Sequence, residues 1–358
     1  MPSLKEIKGR INSISSTLAI TSAMKMVAAA KLQKAQMAIQ NMLPYERRLH
    51  SMLIDLMGAM NISAAASEDG SVRGSGSAER GFDQSGDRLS LSNRHDLAGM
   101  DGAYSLMAQR EVHKVAIVAF ASNSSLCGAF NSNAIREATA VINEYRASGL
   151  GDADITVYSV GRKMAEAMKK LGFPSPADFT KMSDSPSYDA ASALAQELFD
   201  GFVSGRFDKV ELVYNHYKST SSQPTTRQTY LPLSLADATA DLQAGNITDS
   251  ASETDTNRVA EPVGAPVVRQ GSPTTEDLIV EPSKEALIAT LLPKVIRLRI
   301  FTTLLDSAAA EHAARTVAMQ LATDNGNDLL QELTLEYNKG RQQKITSEIL
   351  DLVGGSMQ

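Results

Sequence analysis

The residue types that carry out enzyme chemistry are sparse in this chain of 358 residues. Its one cysteine, Cys127, follows the apolar segment VAIVAF (115–120), a position after a predicted strand where nucleophiles often lie. No G-x-S-x-G sequence surrounds this cysteine, and no order of His and Asp residues suggests a catalytic triad. The favoured interpretation is therefore a buried or tight-turn cysteine.

The sequence also lacks the motifs of metal and nucleotide binding. The histidines occur singly, without the i, i+4 spacing that places two ligands on one helix face. They are His50, His95, His113, His216 and His312. No G-x-G-x-x-G follows VAIVAF, and no G-x-x-x-x-G-K-[ST] occurs anywhere. Paired acidic residues, such as Glu332 and Glu336, have no predicted cleft around them. We expect no catalytic site, no cofactor and no metal.

Composition favours a helical protein. Hydrophobic residues make up 43% of the chain but aromatic residues only 5%, and there are 15 Met and no Trp. A single cysteine excludes an internal disulfide and a cysteine-based zinc cluster. The N-terminus lacks the apolar core of a signal peptide, and no apolar run approaches about 18 residues, so we expect no direct membrane insertion.

Charge is unevenly distributed along the chain. Residues 1–48 carry eight Lys or Arg against two Glu, whereas residues 236–281 carry nine Asp or Glu against two Arg. A basic end is typical of a segment that binds nucleic acid, anionic lipid or an acidic protein surface, and equally of a solvated helix face that binds no partner. A nucleic-acid-binding coiled coil would show steeply salt-dependent DNA binding. The few aromatic residues and the acidic remainder argue against it, and we expect no nucleic-acid partner.

A stripe of apolar residues predicts a long N-terminal helix with a seam for one partner helix. Between residues 4 and 60 the only proline is Pro44, and the stripe advances in alternating four- and three-residue steps. It is apolar at nine of these eleven positions: Ile7, Ile11, Ile14, Leu18, Thr21, Lys25, Ala28, Leu32, Ala35, Ile39 and Met42. A helix of about 50 residues is roughly 75 Å long, which an ordinary globular core does not need.

The C-terminal end has the same character. Between residues 284 and 353 the only proline is Pro293. The final turns repeat the seam spacing at three apolar residues: Ile345, Ile349 and Leu352. Two long helices at the ends of one chain pair most simply in antiparallel orientation. Small residues at 27–30, 307–310 and 313–314 indicate where the helices cross closely, although alanine also favours helix on its own account.

Strands alternate with helices in the middle of the chain, which predicts a small α/β domain with a mainly parallel sheet. The predicted strands span 115–120, 155–161, 209–217 and 225–233. The predicted helices span 133–147, 163–171 and 190–203. The fold class is therefore α/β plus coiled coil: a long antiparallel two-helix coiled coil from the N- and C-termini, with a central Rossmann-like α/β domain.

Five parts follow from these patterns. Two of them are polar tracts, one rich in Gly and Ser and one acidic, and both have the composition of loops or linkers. The parts are an N-terminal coiled-coil helix (1–61), a flexible insertion (62–111), the α/β domain (112–233), an acidic loop or linker (234–280) and a C-terminal coiled-coil helix (281–358).

Three segments resemble the ATP synthase gamma family. ITSAMKMVAAAKLQKAQ (20–36), followed by PYERRL, is similar to its N-terminal helix. The segment from AAAEHAARTVAM to ILDLVGG (308–355) is similar to its C-terminal signature over nearly fifty positions. SNSSLCGAFNSN (122–133) resembles the loop after its first strand, although the family usually has Gly where Ser125 stands.

The resemblance implies a function and a set of partners. In this family the two helices form the central rotor shaft of a proton-translocating F-type ATP synthase, inside a ring of three alpha and three beta subunits. The α/β domain packs at the base, near the epsilon subunit and the membrane c-ring. The shaft transmits rotation of that ring to the catalytic beta subunits and has no catalytic site of its own. The absence of a transit peptide favours the cytoplasmic side of a bacterial plasma (inner) membrane, with peripheral attachment.

The resemblance also implies contact residues. Met24 matches the family's Met at the level where beta-subunit levers push the shaft, and Lys25 is its neighbour in this contact region. Arg315 and Gln342 match the polar pair that reaches the beta catch loop. Glu281 falls where the family has a Glu that contacts the rotor ring, but the preceding aromatic is missing here. Each has a plainer alternative, namely seam packing for the methionine, solvated polar side chains for the pair, and a helix cap for the Glu.

A freestanding α/β enzyme with helical dimerisation arms is the rival interpretation. It requires a pocket with convergent polar groups within residues 112–233 and turnover by the purified chain alone. A thiol switch in the 62–111 insertion is not expected, because this insertion contains no cysteine.

Overall fold

The computed structural model describes residues 3–68, 110–233 and 284–356. Most of the predicted 62–111 insertion, and the predicted 234–280 linker, lie outside the described residues. The described chain contains two very long helices and, between them in sequence, a four-stranded sheet with helices on both faces. The predicted fold class is confirmed.

The two long helices are α1 (Leu4–Glu68) and α6 (Lys284–Ser356). At 1.5 Å per residue they are roughly 100 Å and 110 Å long. Each continues through an internal proline, Pro44 in α1 and Pro293 in α6. Helix α1 runs seven residues beyond the predicted boundary at residue 61, because the Ala- and Ser-containing segment 62–68 still supports helix.

These helices pair in antiparallel orientation, as predicted. Lys25 Nζ donates to Gln320 Oε1 over 2.5 Å, and the Thr21 and Thr323 hydroxyls are 3.2 Å apart. Leu18 packs against Gly326. As the residue numbers rise along α1, their partners on α6 fall, and all eleven positions of the predicted α1 stripe are buried or partly buried. The alternating spacing therefore marks the face of α1 that meets α6.

The sheet contains β1 (Val115–Phe120), β2 (Ile155–Val160), β3 (Lys209–Asn215) and β4 (Thr225–Leu231), in the order β2-β1-β3-β4. Strand β1 pairs in parallel with both β2 and β3, whereas β4 is antiparallel to β3. Every residue of β1 is buried, which explains its continuous apolar sequence: a central parallel strand is covered on both faces. The predicted, mainly parallel sheet is confirmed.

The sheet connections are α2 (Phe130–Ala147), α3 (Arg162–Lys170), the short α4 (Thr180–Asp184) and α5 (Tyr188–Val203). Each predicted helix is present, and its ends differ from the predicted bounds by at most three residues. Strand β3 ends at Asn215 instead of residue 217, because His216 and Tyr217 leave the sheet to contact the long helices.

Alternate residues of β1 point to two separate cores. One core lies against α2 and α3 and contains Ile117, Val141 and Met164. The other contains Val118, α5 and the first turns of α6, together with Leu49 of α1. The second face of the sheet is thus covered by α5 and by the two long helices. The antiparallel pair of long helices is here called the rod, and this core attaches it to the α/β domain.

Candidate functional site

The carboxyl edge of the parallel strands is where open α/β sheets usually bind ligands. In this protein helix α6 crosses that edge. The Arg315 guanidinium donates to Ser124 Oγ over 2.7 Å, and Ala310 packs against Cys127 and Phe130. The protein's own helix therefore crosses the crevice and is bonded to the loop after β1.

Cys127 lies in the loop after β1, and its thiol belongs to a local polar network. It is buried, and Asn131 Nδ2 donates to its Sγ over 3.1 Å. The Asn131 amide also contacts the Ser122 hydroxyl and the Ser124 carbonyl oxygen. These bonds hold a loop in which Leu126 has a φ of +68°. The contacts favour the structural interpretation of the cysteine over a nucleophilic one.

The residues that the structure describes contain no metal-binding cluster. No group of three or more His, Cys, Asp or Glu side chains there is placed to hold an ion. Within the same ranges, no helix combines the length and the apolar character that a bilayer-spanning segment needs.

Met24 and Lys25 lie on α1 where it faces α6. Both are partly buried, and Lys25 reaches across the pair to Gln320. The lysine therefore bonds the two helices together, a role that the sequence pattern did not indicate. Exposed apolar side chains lie beside them: Ile20, Met26 and Val27.

Arg315 and Gln342 do not lie together. They are 27 residues apart on one helix, which corresponds to about 40 Å. Arg315 is 12% exposed and pairs with Glu311 over 2.8 Å, whereas Gln342 is exposed near the end of the rod. Burial raises the pKa of the Glu311 carboxyl, and the charge of Arg315 opposes that rise. A single partner that contacts both Arg315 and Gln342 must therefore extend about 40 Å along α6.

The predicted seam residues of α1 lie in the interface with α6. Ile7 and Leu32 are buried and Ile11, Ile14 and Leu18 are partly buried on the face of α1 that meets α6.

The C-terminal seam residues are not covered by α1. Ile345, Ile349 and Leu352 are 47%, 55% and 74% exposed. Leu4, at the start of α1, packs against Gly340, so α6 continues past the end of its partner. The expected packing of these three residues within the chain is therefore wrong.

The part of α6 that continues past Leu4 of α1, here called the overhang, comprises residues 341–356. It extends about 24 Å beyond the start of α1. Its exposed apolar side chains include Leu350 and Val353 in addition to the three residues above. Heptad spacing identified an apolar stripe there but carried no information on which helix covers it. Comparing the lengths of the two predicted helices from their crossing zone would have revealed the overhang.

Glu281, expected to contact a rotor ring, lies outside the described residues. Its role stays a prediction.

The fold and these surfaces define a class of protein: a coiled-coil shaft rooted in a small α/β domain. A family model described as ATP synthase matches residues 3–357. The ATP synthase gamma chains of Phocaeicola vulgatus and Bacteroides thetaiotaomicron are 48% and 45% identical, with 100% of this chain and 100% of each relative covered. The chain belongs to the ATP synthase gamma chain family.

A solved structure has the same fold. A chain of the Euglena gracilis mitochondrial ATP synthase, in an OSCP/F1/c-ring assembly in rotational state 3, aligns with a TM-score of 0.52 and 18% sequence identity. The alignment covers 99% of this chain and 93% of that chain. The likeness therefore extends over the rod as well as the α/β domain.

Proposed function

We propose that this chain is the central rotor shaft of a proton-translocating F-type ATP synthase, and that it has no catalytic site of its own. It transmits rotation of a membrane ring to the catalytic beta subunits. The overhang is the observation that carries this proposal. A single helix with exposed apolar side chains lies at the tip of the two-helix rod. It is suited to turn inside a ring of alpha and beta subunits whose inner surface is apolar, here called the sleeve.

The partners follow from membership of the gamma chain family. Three alpha and three beta subunits surround the paired helices and the overhang. The epsilon subunit and the c-ring lie at the α/β domain, where the rod is rooted. The complex sits on the cytoplasmic side of a bacterial inner membrane, and this subunit is peripheral.

Contacts with beta subunits involve the exposed and partly exposed polar groups of the rod. Gln342 is exposed on the overhang and can therefore contact a beta subunit directly. Arg315 uses one N–H for Glu311 and one for Ser124, which leaves others for a partner carboxylate. Met24 and Lys25 are partly exposed at the border between α1 and α6, where a beta subunit contacts them. Glu281 is proposed to contact the rotor ring.

Asymmetry is what lets such a shaft do work. Three chemically equal beta subunits adopt different states only if the shaft has a different affinity for each state. A rod of two helices lacks threefold symmetry, and above residue 340 it becomes a single helix. Each rotational position therefore presents a different surface to each beta subunit.

Reconstitution tests this function. Membranes that contain all other subunits of the complex are prepared without this chain, and the purified full-length chain is added back. We expect ATP-driven proton pumping to depend on the addition, measured by quenching of a pH-sensitive dye. Full coupled pumping without the chain would refute the proposal, as would failure of the chain to co-purify with alpha and beta subunits.

A further inference from the structure

The segment after β3 contacts both long helices where they pack against each other. The ring of Tyr217 packs in a small cluster with Leu32 of α1 and with Ala309 and Ala313 of α6. Its hydroxyl accepts a hydrogen bond from Gln36 Nε2 of α1 over 2.6 Å. One side chain of the α/β domain therefore contacts both helices of the rod at the same level.

Asp306 of α6 also binds this segment. One of its carboxylate oxygens is 2.6 Å from His216 Nδ1, and the other accepts the Tyr217 backbone N–H over 2.9 Å. The backbone N–H of His216 donates to the Pro224 carbonyl oxygen over 2.9 Å, which ties the segment to the β3–β4 connection. The bonds run from the sheet, through His216 and Tyr217, to both helices.

We propose that His216 and Tyr217 form a collar that locks both helices of the rod to the α/β domain, and that protonation of His216 tightens the collar. This inference rests on the proposed shaft function, because the lock matters where torque passes from the domain to the rod. His216 and Tyr217 are positioning residues: they fix the angle of the helices relative to the domain and touch no reacting atom.

Two charged groups act on the imidazole of His216. The carboxylate of Asp306, on α6, raises the pKa of His216 through the hydrogen bond. Burial and Lys218, on the same segment as His216, act in the opposite direction. Because the folded-state pKa is raised, the charged pair contributes most below the ordinary pKa of histidine, and this contribution is lost as the pH rises through the raised value. The collar should loosen on the alkaline side.

Angular fluctuation of the shaft tests the collar. The full-length chain carrying Lys169→Cys for bead attachment is assembled with alpha and beta subunits, and the beta subunits are fixed to a surface. Bead fluctuations are recorded without nucleotide between pH 6 and pH 9. In the otherwise unchanged chain, we expect narrow fluctuations at acidic pH and broader ones at alkaline pH.

The variants separate charge from packing. We expect His216→Gln to lose the pH dependence and fluctuate broadly throughout, and His216→Lys, with a permanent charge, to stay narrow up to pH 9. Tyr217→Phe keeps the ring but loses the bond to Gln36, and should broaden the fluctuations at every pH. His113→Gln, an exposed histidine at the opposite edge of the sheet, is the matched control and should behave like the unchanged chain.

The outcomes distinguish this inference from the proposed function. If the complex assembles and rotates but His216→Gln keeps the full pH dependence, the collar is refuted and the shaft function stands. If the unchanged chain does not assemble with alpha and beta subunits, the shaft function fails and the collar fails with it.

Discussion

Gly326 shows how closely the two helices approach. Glycine in a helix interior costs about 1 kcal/mol relative to alanine, so a compensating reason is expected. A Cβ at this position would lie 2.6 Å from Leu18 Cδ2, and one at Gly340 would lie 3.1 Å from Leu4 Cδ2. Both the leucines and the glycines are spaced by two heptads, so the same close contact repeats along the pair.

Gly326→Val should therefore destabilise the chain. The added side chain must displace Leu18 in a packed interface, which costs about 1–3 kcal/mol of the free energy of unfolding. Gly9→Val is the control, because nothing lies within 4 Å of a Cβ built there. Urea unfolding followed by circular dichroism compares the two. Equal effects at both glycines would contradict the close approach.

Arg315 stabilises the chain by neutralising a buried acid. Arg315→Met leaves the Glu311 carboxylate buried without its partner, at an expected cost of about 3 kcal/mol at pH 8. The cost should shrink at pH 5. The pKa of Glu311 is already raised by burial, so stability from its neutral form is present at low pH and lost as the pH rises through that value.

The matched control for this change is Arg10→Met. Arg10 forms the same i, i+4 ion pair with Glu6, but both side chains are more than half exposed. An exposed pair of this kind contributes about 0.5 kcal/mol or less. Unfolding curves at both pH values measure the difference. An Arg315→Met effect as small as that of the control, or independent of pH, would contradict the account.

At the scale of single elements, the face of α1 that meets α6 should be intolerant of charge. Ile14→Asp with Leu18→Asp places two carboxylates against α6, and ionised groups are strongly disfavoured there. We expect the reconstituted complex to uncouple or disassemble. Ser15→Asp with Ala19→Asp has the same spacing on the face that is exposed in the isolated chain, so the isolated variant should keep its helix content by circular dichroism, whereas the first variant should lose part of it. Full ATP-driven pumping by the first variant would refute the seam.

The overhang should matter for assembly and not for folding. Its apolar side chains are exposed, so Ile345→Ser, Ile349→Ser and Leu352→Ser together should change the thermal midpoint of the isolated chain little. The same triple variant should bind alpha and beta subunits more weakly, because it removes apolar area from that contact. Titration calorimetry against the alpha–beta ring, with the thermal midpoint as control, measures both. Unchanged affinity would contradict the sleeve contact.

The elements differ in how far the sequence alone predicts them. The six residues of β1 form a continuous apolar run, which is typical of a strand buried on both faces, and its bounds are predicted to the residue. The apolar stripe from Ile7 to Met42 identifies the face of α1 that contacts α6, because its alternating three- and four-residue spacing keeps these side chains on one side of the helix. Spacing cannot reveal register, however. Of the small residues at 27–30 only Ala28 is buried, and the apolar spacing at 345–352 continues beyond the partner helix.

The candidate site was less predictable than the fold. The inward pairing of Arg315 with Glu311, the bond from Lys25 to Gln320, and the contact of Tyr217 with both helices all join residues far apart in sequence. Each depends on the relative position of rod and domain. No local pattern encodes that position.

At the scale of the whole molecule, the described residues form a rod with a broad base and a single-helix tip. The base is held by two cores on opposite faces of the sheet, and one of these cores includes both long helices. The paired stretch from Leu4 to Gln36 adds roughly 50 Å of rod. A base and rod that share one core should turn as one body.

Direct observation of rotation tests this central claim. The chain is assembled with surface-fixed alpha and beta subunits, and a bead is attached to the exposed side of α3 through Lys169→Cys. On addition of ATP, we predict that the bead turns continuously in one direction, with three pauses in each turn. A bead that stays at one angle while the complex hydrolyses ATP at its full coupled rate would contradict the account.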